Sequence, residues 1–188
     1  MKRILKKNIN TKVRWNKLLS TGEWGKERGK FYSKIKNFLP KKKKIKALEI
    51  GCATGHGLIE LAKTFSNIKF EGCDFSENGI KHAKKKYGKK INFFVHDVYK
   101  DKLNKNYDYI LIIETLEHLN NPKKVIKKYL KHCNKLIVTV PYKEKGWKEH
   151  VYSFNEKSFN DMEEFKRYKI IKTNKDKKIL LFIFEKQS

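Results

Sequence analysis

The chain has 188 residues, of which 39% are hydrophobic, so it is long enough for one domain and too apolar for global disorder. No apolar run reaches the roughly 18 residues that cross a bilayer, and no signal-type stretch follows the basic residues 1–7, which favours a cytoplasmic protein without membrane contact. The formal net charge of +26 raises the question of an RNA partner.

Residues 1–44 are expected to form a helical segment ahead of a domain that spans residues 45–188. Two groups of apolar residues have helical spacing: Trp15, Leu18 and Leu19 in the first, and Phe31, Ile35, Phe38 and Leu39 in the second. A glycine-flanked loop that contains Trp24 lies between the two helices, and Pro40 with the following lysines ends the second.

From residue 45 onward, strands and helices alternate. The expected strands are 45–50, 68–73, 91–96, 107–113, 136–140, 168–172 and 179–184. The expected helices are 58–65, 76–87 with Ser76 as N-cap, 122–132 with Pro122 at its start, and 155–165. A polar turn at 173–176 joins the last two strands. This order predicts an α/β, Rossmann-like, seven-stranded and mostly parallel sheet with a C-terminal antiparallel hairpin and helices on both faces.

The turn after the first of these strands is rich in glycine. Its pattern is E-x-G-x-A-x-G-x-G, from Glu49 through Gly51, Ala53 and Gly55 to Gly57. Such a turn lies at the carboxyl ends of the strands, where doubly wound sheets bind ligands. The pattern differs from the dinucleotide fingerprint G-x-G-x-x-G, because Ala53 occupies its third position and His56 stands where the last glycine should be.

A carboxylate follows each of the next two strands. Asp74 lies 23 residues after Gly51, where a carboxylate can accept hydrogen bonds from both ribose hydroxyls. Asp97 ends the third strand, the place for an acceptor to an adenine amino group. A turn or loop-capping role for Asp97 is the alternative.

In this order, the motifs resemble those of class I S-adenosylmethionine-dependent methyltransferases, from about residue 46 to the C-terminus. The resemblance implies that Asp74 holds the ribose, Phe75 lines the adenine and Asp97 binds its amino group. The implied S-adenosylmethionine-binding set is Glu49, Gly51, Ala53, Gly55, Asp74, Phe75, Asp97 and Val98. In relatives the segment before the first strand often covers the site, so residues 1–44 are expected to act as a lid. A Rossmann-like fold without ligand is the alternative.

The run Glu114-Thr-Leu-Glu117-His118 follows the fourth strand. On one helical turn the two glutamates and His118 would share a face. The run resembles the E-x-x-E-H segment of ubiquinone-biosynthesis-type O-methyltransferases and of enzymes that 2′-O-methylate the 3′ end of small RNAs. Three roles stay open. In the first, His118 is a general base or a substrate-positioning residue in a catalytic group with Glu114 and Glu117. In the second, these three residues and His150 hold Mg²⁺ or Mn²⁺, and in the third the run is purely structural.

The favoured function is S-adenosylmethionine-dependent O-methylation of a small molecule, with Trp24, Tyr142 and Trp147 as candidate acceptor contacts. One alternative is metal-dependent RNA methylation. The small share of arginine argues against it, because only four of the 46 basic residues are arginine. A cofactor- or RNA-binding protein without catalysis is the other. The sequence predicts neither the identity of the methyl acceptor nor the oligomeric state.

Overall fold

The computed structural model describes residues 1–25, 29–144, 146–173 and 178–186. The strands are β1 (Lys2–Arg3), β2 (Ile45–Ile50), β3 (Ile68–Asp74), β4 (Asn92–Val95), β5 (Tyr107–Ile113), β6 (Cys133–Pro141), β7 (Tyr152–Ser153), β8 (Phe165–Lys172) and β9 (Lys178–Glu185). The α-helices are α1 (Lys12–Leu18), α2 (Gly29–Ile35), α3 (His56–Thr64), α4 (Glu77–Tyr87) and α5 (Pro122–Leu130). Two 3₁₀ turns span Lys36–Phe38 and Leu116–His118.

Seven strands form one sheet in the hydrogen-bonded order β4-β3-β2-β5-β6-β9-β8. β3 pairs in parallel with both β2 and β4, and this register sets Asp74 opposite Val95 at the carboxyl end of β3. β9 pairs antiparallel with β6 and with β8. The predicted Rossmann-like fold, with its mostly parallel sheet and antiparallel C-terminal hairpin, is confirmed. β1 and β7 form a separate antiparallel pair.

The chain divides into two compact units, Lys12–Asp108 and Met1–Thr11 with Tyr109–Ser188. In the second unit, aromatic rings from β9 and from the turns that precede β8 pack together in the core. The Phe159 ring meets Phe182 and Phe184 edge-on at centroid distances of 4.8 and 5.2 Å. The expected domain boundary at residue 44 stays a prediction. Among the described residues, no helix combines the length and apolarity needed to cross a bilayer.

The helix predicted for residues 155–165 is wrong. The structure has consecutive tight turns there, and β8 already begins at Phe165. Side chains close the first turn, because Ser158 Oγ accepts from the Asn155 N–H at 2.9 Å and Asn155 Oδ1 accepts from the Lys157 N–H at 3.0 Å. Such local bonds compete with helix formation. Residues 174–176 of the predicted hairpin turn lie outside the described residues.

The N-terminal segment is only partly as expected. Residues 1–44 contain α1 and α2 but also the strand β1, which the apolar spacing did not predict. Trp15 and Leu19 are buried, whereas Leu18 at the end of α1 is exposed, so the predicted apolar group is buried only in part. The second group buries Ile35 and Leu39 across the transition from α2 to the 3₁₀ turn.

Gly57 in the first turn of α3 lies against the ring of Tyr32. A Cβ at this position would lie 2.0 Å from Tyr32 Cε2. Alanine normally stabilises a helix by about 1 kcal/mol relative to glycine, but here we expect Gly57→Ala to lower the free energy of unfolding by about 1–3 kcal/mol through overpacking. Urea unfolding measures this change. Gly146→Ala is the control, since a Cβ at Gly146 meets nothing within 4 Å. An unchanged or raised midpoint for Gly57→Ala would contradict the packing argument.

Candidate functional site

Left-handed backbone shapes the turn between β2 and α3. Gly51, Ala53 and Gly55 have φ angles of +80°, +50° and +77°. The N–H groups of Gly51 and Cys52 both donate to the Cys73 carbonyl, at 2.8 and 3.0 Å, which ties the turn to the end of β3. The left-handed conformation costs a residue with a Cβ about 1–2 kcal/mol, so the surroundings of Ala53 must stabilise it.

Asp74 supplies that stabilisation. Its Oδ2 accepts from the Ala53 N–H at 3.0 Å and its Oδ1 accepts from the Ser76 N–H at 2.8 Å. The carboxylate therefore lies between the glycine turn and the N-terminus of α4, whose dipole favours a negative charge. The predicted N-cap is confirmed, because Ser76 Oγ accepts from the Gly79 N–H at 3.1 Å.

Glu49 at the end of β2 is fully buried. Its Oε1 accepts a hydrogen bond from the hydroxyl of Tyr32, which is itself buried on α2. A buried carboxylate needs such a donor to offset its lost hydration. Glu49 therefore links α2 to the strand that leads into the glycine turn, and its expected contact with the cofactor stays a prediction.

Two partly buried aromatic residues lie at the glycine turn. Trp24 and Phe75 pack against a buried cluster formed by Trp15, Leu19 and Ala53. The Trp24 ring meets the Trp15 ring edge-on at 5.4 Å, and the Trp24 carbonyl accepts from Thr54 Oγ1 at 2.8 Å. Trp24 therefore contacts the glycine turn. Its expected contact with the methyl acceptor stays a prediction. Phe75 lies beside Ala53, and its expected adenine contact stays a prediction.

Asp97 and Val98 follow β4 closely. The His96 N–H donates to the Asp74 carbonyl at 2.9 Å, so the chain leaves β4 beside the end of β3. Asp97 Oδ1 accepts from the Tyr99 N–H at 2.9 Å. This bond closes a local turn, the alternative role for Asp97. The roles of Asp97 and Val98 toward adenine stay predictions.

In the other unit, the segment after β5 is not one helical turn. Glu114 has a left-handed φ of +47°, and its N–H donates to the Thr139 carbonyl at 3.0 Å. The 3₁₀ turn begins only at Leu116. The expected common helical face therefore does not extend to Glu114, which the neighbouring strand β6 holds in a different conformation.

Glu117, His118 and His150 converge instead. Within the described ranges, each offers one ligand atom, and these atoms lie within 4.8 Å of one another. Glu117 Oε1 lies 3.8 Å from His118 Nε2 and 4.0 Å from His150 Nε2. Both Glu117 and His150 are buried. Three of the four predicted metal-ligating residues thus share one small site, and Glu114 lies outside this group.

The hydrogen bond of His118 defines its tautomer. Its Nδ1 lies 3.0 Å from the Glu149 carbonyl oxygen. A carbonyl only accepts hydrogen bonds, so Nδ1 carries the hydrogen. In the neutral ring, Nε2 is then the nitrogen that can take up a proton, and it faces the Glu117 carboxylate.

The two candidate acceptor contacts after β6 have different surroundings. Trp147 is 54% exposed and stacks on His150, with ring centroids 5.9 Å apart and planes 19° apart. Tyr142 donates its hydroxyl to Glu156 at 2.5 Å, and this bond lowers the pKa of that carboxyl. Trp147 therefore offers an aromatic surface beside the histidines, whereas the Tyr142 hydroxyl is engaged elsewhere. Both acceptor roles stay predictions.

Comparison with known proteins agrees with the motifs. Residues 48–136 match the family model described as a methyltransferase domain. The resemblance to class I S-adenosylmethionine-dependent methyltransferases is confirmed. A methyltransferase from Aquifex aeolicus described as SAM dependent has the same fold, with a TM-score of 0.67 at 19% identity over 93% of this chain and 98% of that one.

Two sequence relatives of this chain are O-methyltransferases by name. Over 91 residues, 48% of the chain, it is 31% identical to the malonyl-[acyl-carrier protein] O-methyltransferase of Bacillus cereus, of which it covers 34%. Over 92 residues, 47% of the chain, it is 29% identical to the ubiquinone biosynthesis O-methyltransferase of Rickettsia canadensis, of which it covers 38%. The chain therefore spans little more than a third of these relatives.

The sequence did not predict the positions of Asn8 and Asn10, which lie beside the segments that carry His118 and His150. Asn8 Nδ2 donates to the His118 carbonyl at 3.0 Å, across 110 residues of sequence. The only signal was an N-x-N spacing near the N-terminus, which does not identify so distant a partner.

All three cysteines are free and buried. Burial raises the pKa of the Cys133 thiol to about 12 and raises those of Cys52 and Cys73 well above the ordinary value. Because only the thiolate reacts, we expect Ellman's reagent at pH 8 to modify the native protein far more slowly than the urea-unfolded protein, which should release three equivalents. Rapid modification of any thiol in the native state would contradict this expectation.

Proposed function

We propose that the protein is an S-adenosylmethionine-dependent methyltransferase that methylates an oxygen atom of a small molecule. The observation that carries the proposal is the Asp74 carboxylate, held at the end of β3 by the N–H groups of Ala53 and Ser76. The matching family model and the O-methyltransferase names of two relatives support the same reaction.

The residues at the glycine turn fit this cofactor. A carboxylate offers about four acceptor positions, so a single carboxylate can accept from ribose hydroxyls as well as from backbone N–H groups. The left-handed φ angles of Gly51 and Gly55 shape the turn that we assign to the methionine part. Phe75 offers a ring face for adenine. When bound, the cofactor supplies a methyl group that its sulfonium already activates.

The chain must then orient the acceptor and remove the hydroxyl proton. Nε2 of His118 can take this proton, because the Glu149 carbonyl keeps the hydrogen of the neutral ring on Nδ1. The Glu117 carboxylate, 3.8 Å from Nε2, would stabilise the imidazolium that forms. Trp147 is the side chain we assign to acceptor contact in this unit.

Calorimetric titration with S-adenosylhomocysteine tests the cofactor assignment. We expect one site per chain, and at a hundredfold excess over Kd a stabilisation of about 2.7 kcal/mol, visible as a rise of roughly 5–10 °C in Tm. Adenosine is the matched ligand that lacks the amino-acid part, and it should bind more weakly. Absence of heat and of any Tm change at millimolar ligand would refute the proposal.

RNA 2′-O-methylation with a divalent cation is the second candidate. The convergence of Glu117, His118 and His150 and the net charge of +26 favour it. Two imidazoles and one carboxylate suit Mn²⁺ better than Mg²⁺, which prefers oxygen ligands. When bound, such a cation would lower the pKa of an acceptor hydroxyl.

The two candidates differ in what Nε2 of His118 does, because a nitrogen bound to a cation cannot take a proton. Transfer of labelled methyl groups to an RNA pool and to small hydroxyl compounds, with EDTA or with Mn²⁺, separates them. Labelled small molecules in the presence of EDTA would support His118 as the general base. Labelled RNA that forms only with Mn²⁺ would support a bound cation. Cofactor binding without transfer to any acceptor would favour the non-catalytic alternative.

A further inference from the structure

Two asparagine side chains of the N-terminal segment, Asn8 and Asn10, bracket the turn that carries His118, and we call them the asparagine clasp. Asn10 Nδ2 donates to the carbonyls of Glu149 and His118 at 2.7 and 3.1 Å. Asn8 Nδ2 donates to the His118 carbonyl at 3.0 Å, and Asn8 Oδ1 accepts from the Asn10 N–H at 2.8 Å. Asn10 Nδ2 also donates to Asn8 Oδ1 at 2.8 Å, and these three acceptors around one amide nitrogen define the orientation of this amide.

The Glu149 carbonyl is the acceptor that the clasp shares with His118. It accepts from Asn10 Nδ2 on one side and from His118 Nδ1 on the other. A carbonyl held in this position selects the Nδ1–H form of the ring. The clasp therefore acts on the nitrogen opposite to the one that faces Glu117.

The surrounding backbone has bonds of its own. The Val151 N–H donates to the Glu117 carbonyl at 2.7 Å, and the Ile4 N–H donates to the Val151 carbonyl at 2.8 Å. β1 and β7 pair next to these bonds. Loss of the Asn10 side chain should therefore release the Glu149 carbonyl locally without detaching the N-terminal segment.

We propose that Asn10 is a positioning residue for His118. It holds the Glu149 carbonyl where this oxygen accepts the Nδ1 hydrogen, and so keeps Nε2 as the proton-accepting nitrogen. The consequence for methyl transfer rests on the proposed function, whereas the consequence for the tautomer does not.

Long-range ¹⁵N–¹H NMR of the histidine rings at pH 8 tests the proposal, with His118 assigned by its loss in His118→Gln. We expect the unaltered protein to show the Nδ1–H form and Asn10→Ala to populate both tautomers. Asn10→Asp has the same shape but places an oxygen against three acceptors, and it should shift the tautomer further. Asn160→Ala, on the surface of the same unit, should leave the His118 signals unchanged.

The kinetic readout is a separate measurement. We expect Asn10→Ala to lower kcat about 10–100-fold with the KM for S-adenosylmethionine unchanged, as for other partners that orient a functional histidine. A purely Nδ1–H ring in a folded Asn10→Ala or Asn10→Asp variant would overturn the proposal. So would unfolding of both variants, because it would assign the clasp a structural role. A changed tautomer in a protein that transfers no methyl group would refute the proposed function alone.

Discussion

Asp74→Ala should weaken S-adenosylhomocysteine binding by about 100- to 10,000-fold. Hydrogen bonds to a charged group contribute about 1.5–3 kcal/mol each, and the variant loses the two expected from the ribose. It also loses the two bonds that hold Ala53 and Ser76 in place, so the turn itself should loosen. Calorimetric titration measures the affinity, and urea unfolding measures the stability.

Asp108→Ala is the matched control for this prediction. Asp108 Oδ2 accepts from the Lys46 N–H at 2.9 Å, so this carboxylate also supports backbone, but at the opposite end of β2 from the glycine turn. We expect Asp108→Ala to lose stability and to keep its affinity for S-adenosylhomocysteine. If the affinity of Asp74→Ala for S-adenosylhomocysteine lies within threefold of that of the unaltered protein, the cofactor does not lie where we place it.

His118→Ala should lower kcat by about 100- to 10,000-fold, the range that general bases contribute, while the affinity for S-adenosylhomocysteine stays the same. Labelled methyl transfer measures the rate, and calorimetry measures the affinity. His132→Ala is the control, since His132 lies just after α5 in the same unit and away from the Glu117 group. Activity of His118→Ala within fivefold of the unaltered protein would remove His118 as the base.

The central part of the fold could be predicted because its signals are local. β5 has the bounds expected from its nearly continuous apolar run, which is typical of a strand buried on both faces. Ser76 correctly predicted the start of α4. Both features depend on residues within one strand or one helix end.

The remainder depends on distant partners. Glu114 and His118 have the i, i+4 spacing of a helix. The N–H of Glu114 instead donates to the Thr139 carbonyl on β6, and Glu114 lies outside the 3₁₀ turn. The asparagine clasp meets acceptors more than a hundred residues along the chain. The close packing of Gly57 against Tyr32 was not predicted either. None of these contacts leaves a periodic pattern in the sequence.

The pairing of β1 with β7 has a consequence for the order in which the parts of the protein fold. Arg3 and Tyr152 are 149 residues apart, so a ribosome must release most of the chain before this pair can form. Closing so long a loop is slow compared with forming the neighbouring helices. The histidine site should therefore be completed in a late step, and a nascent chain that already has its glycine turn would still lack a positioned His118.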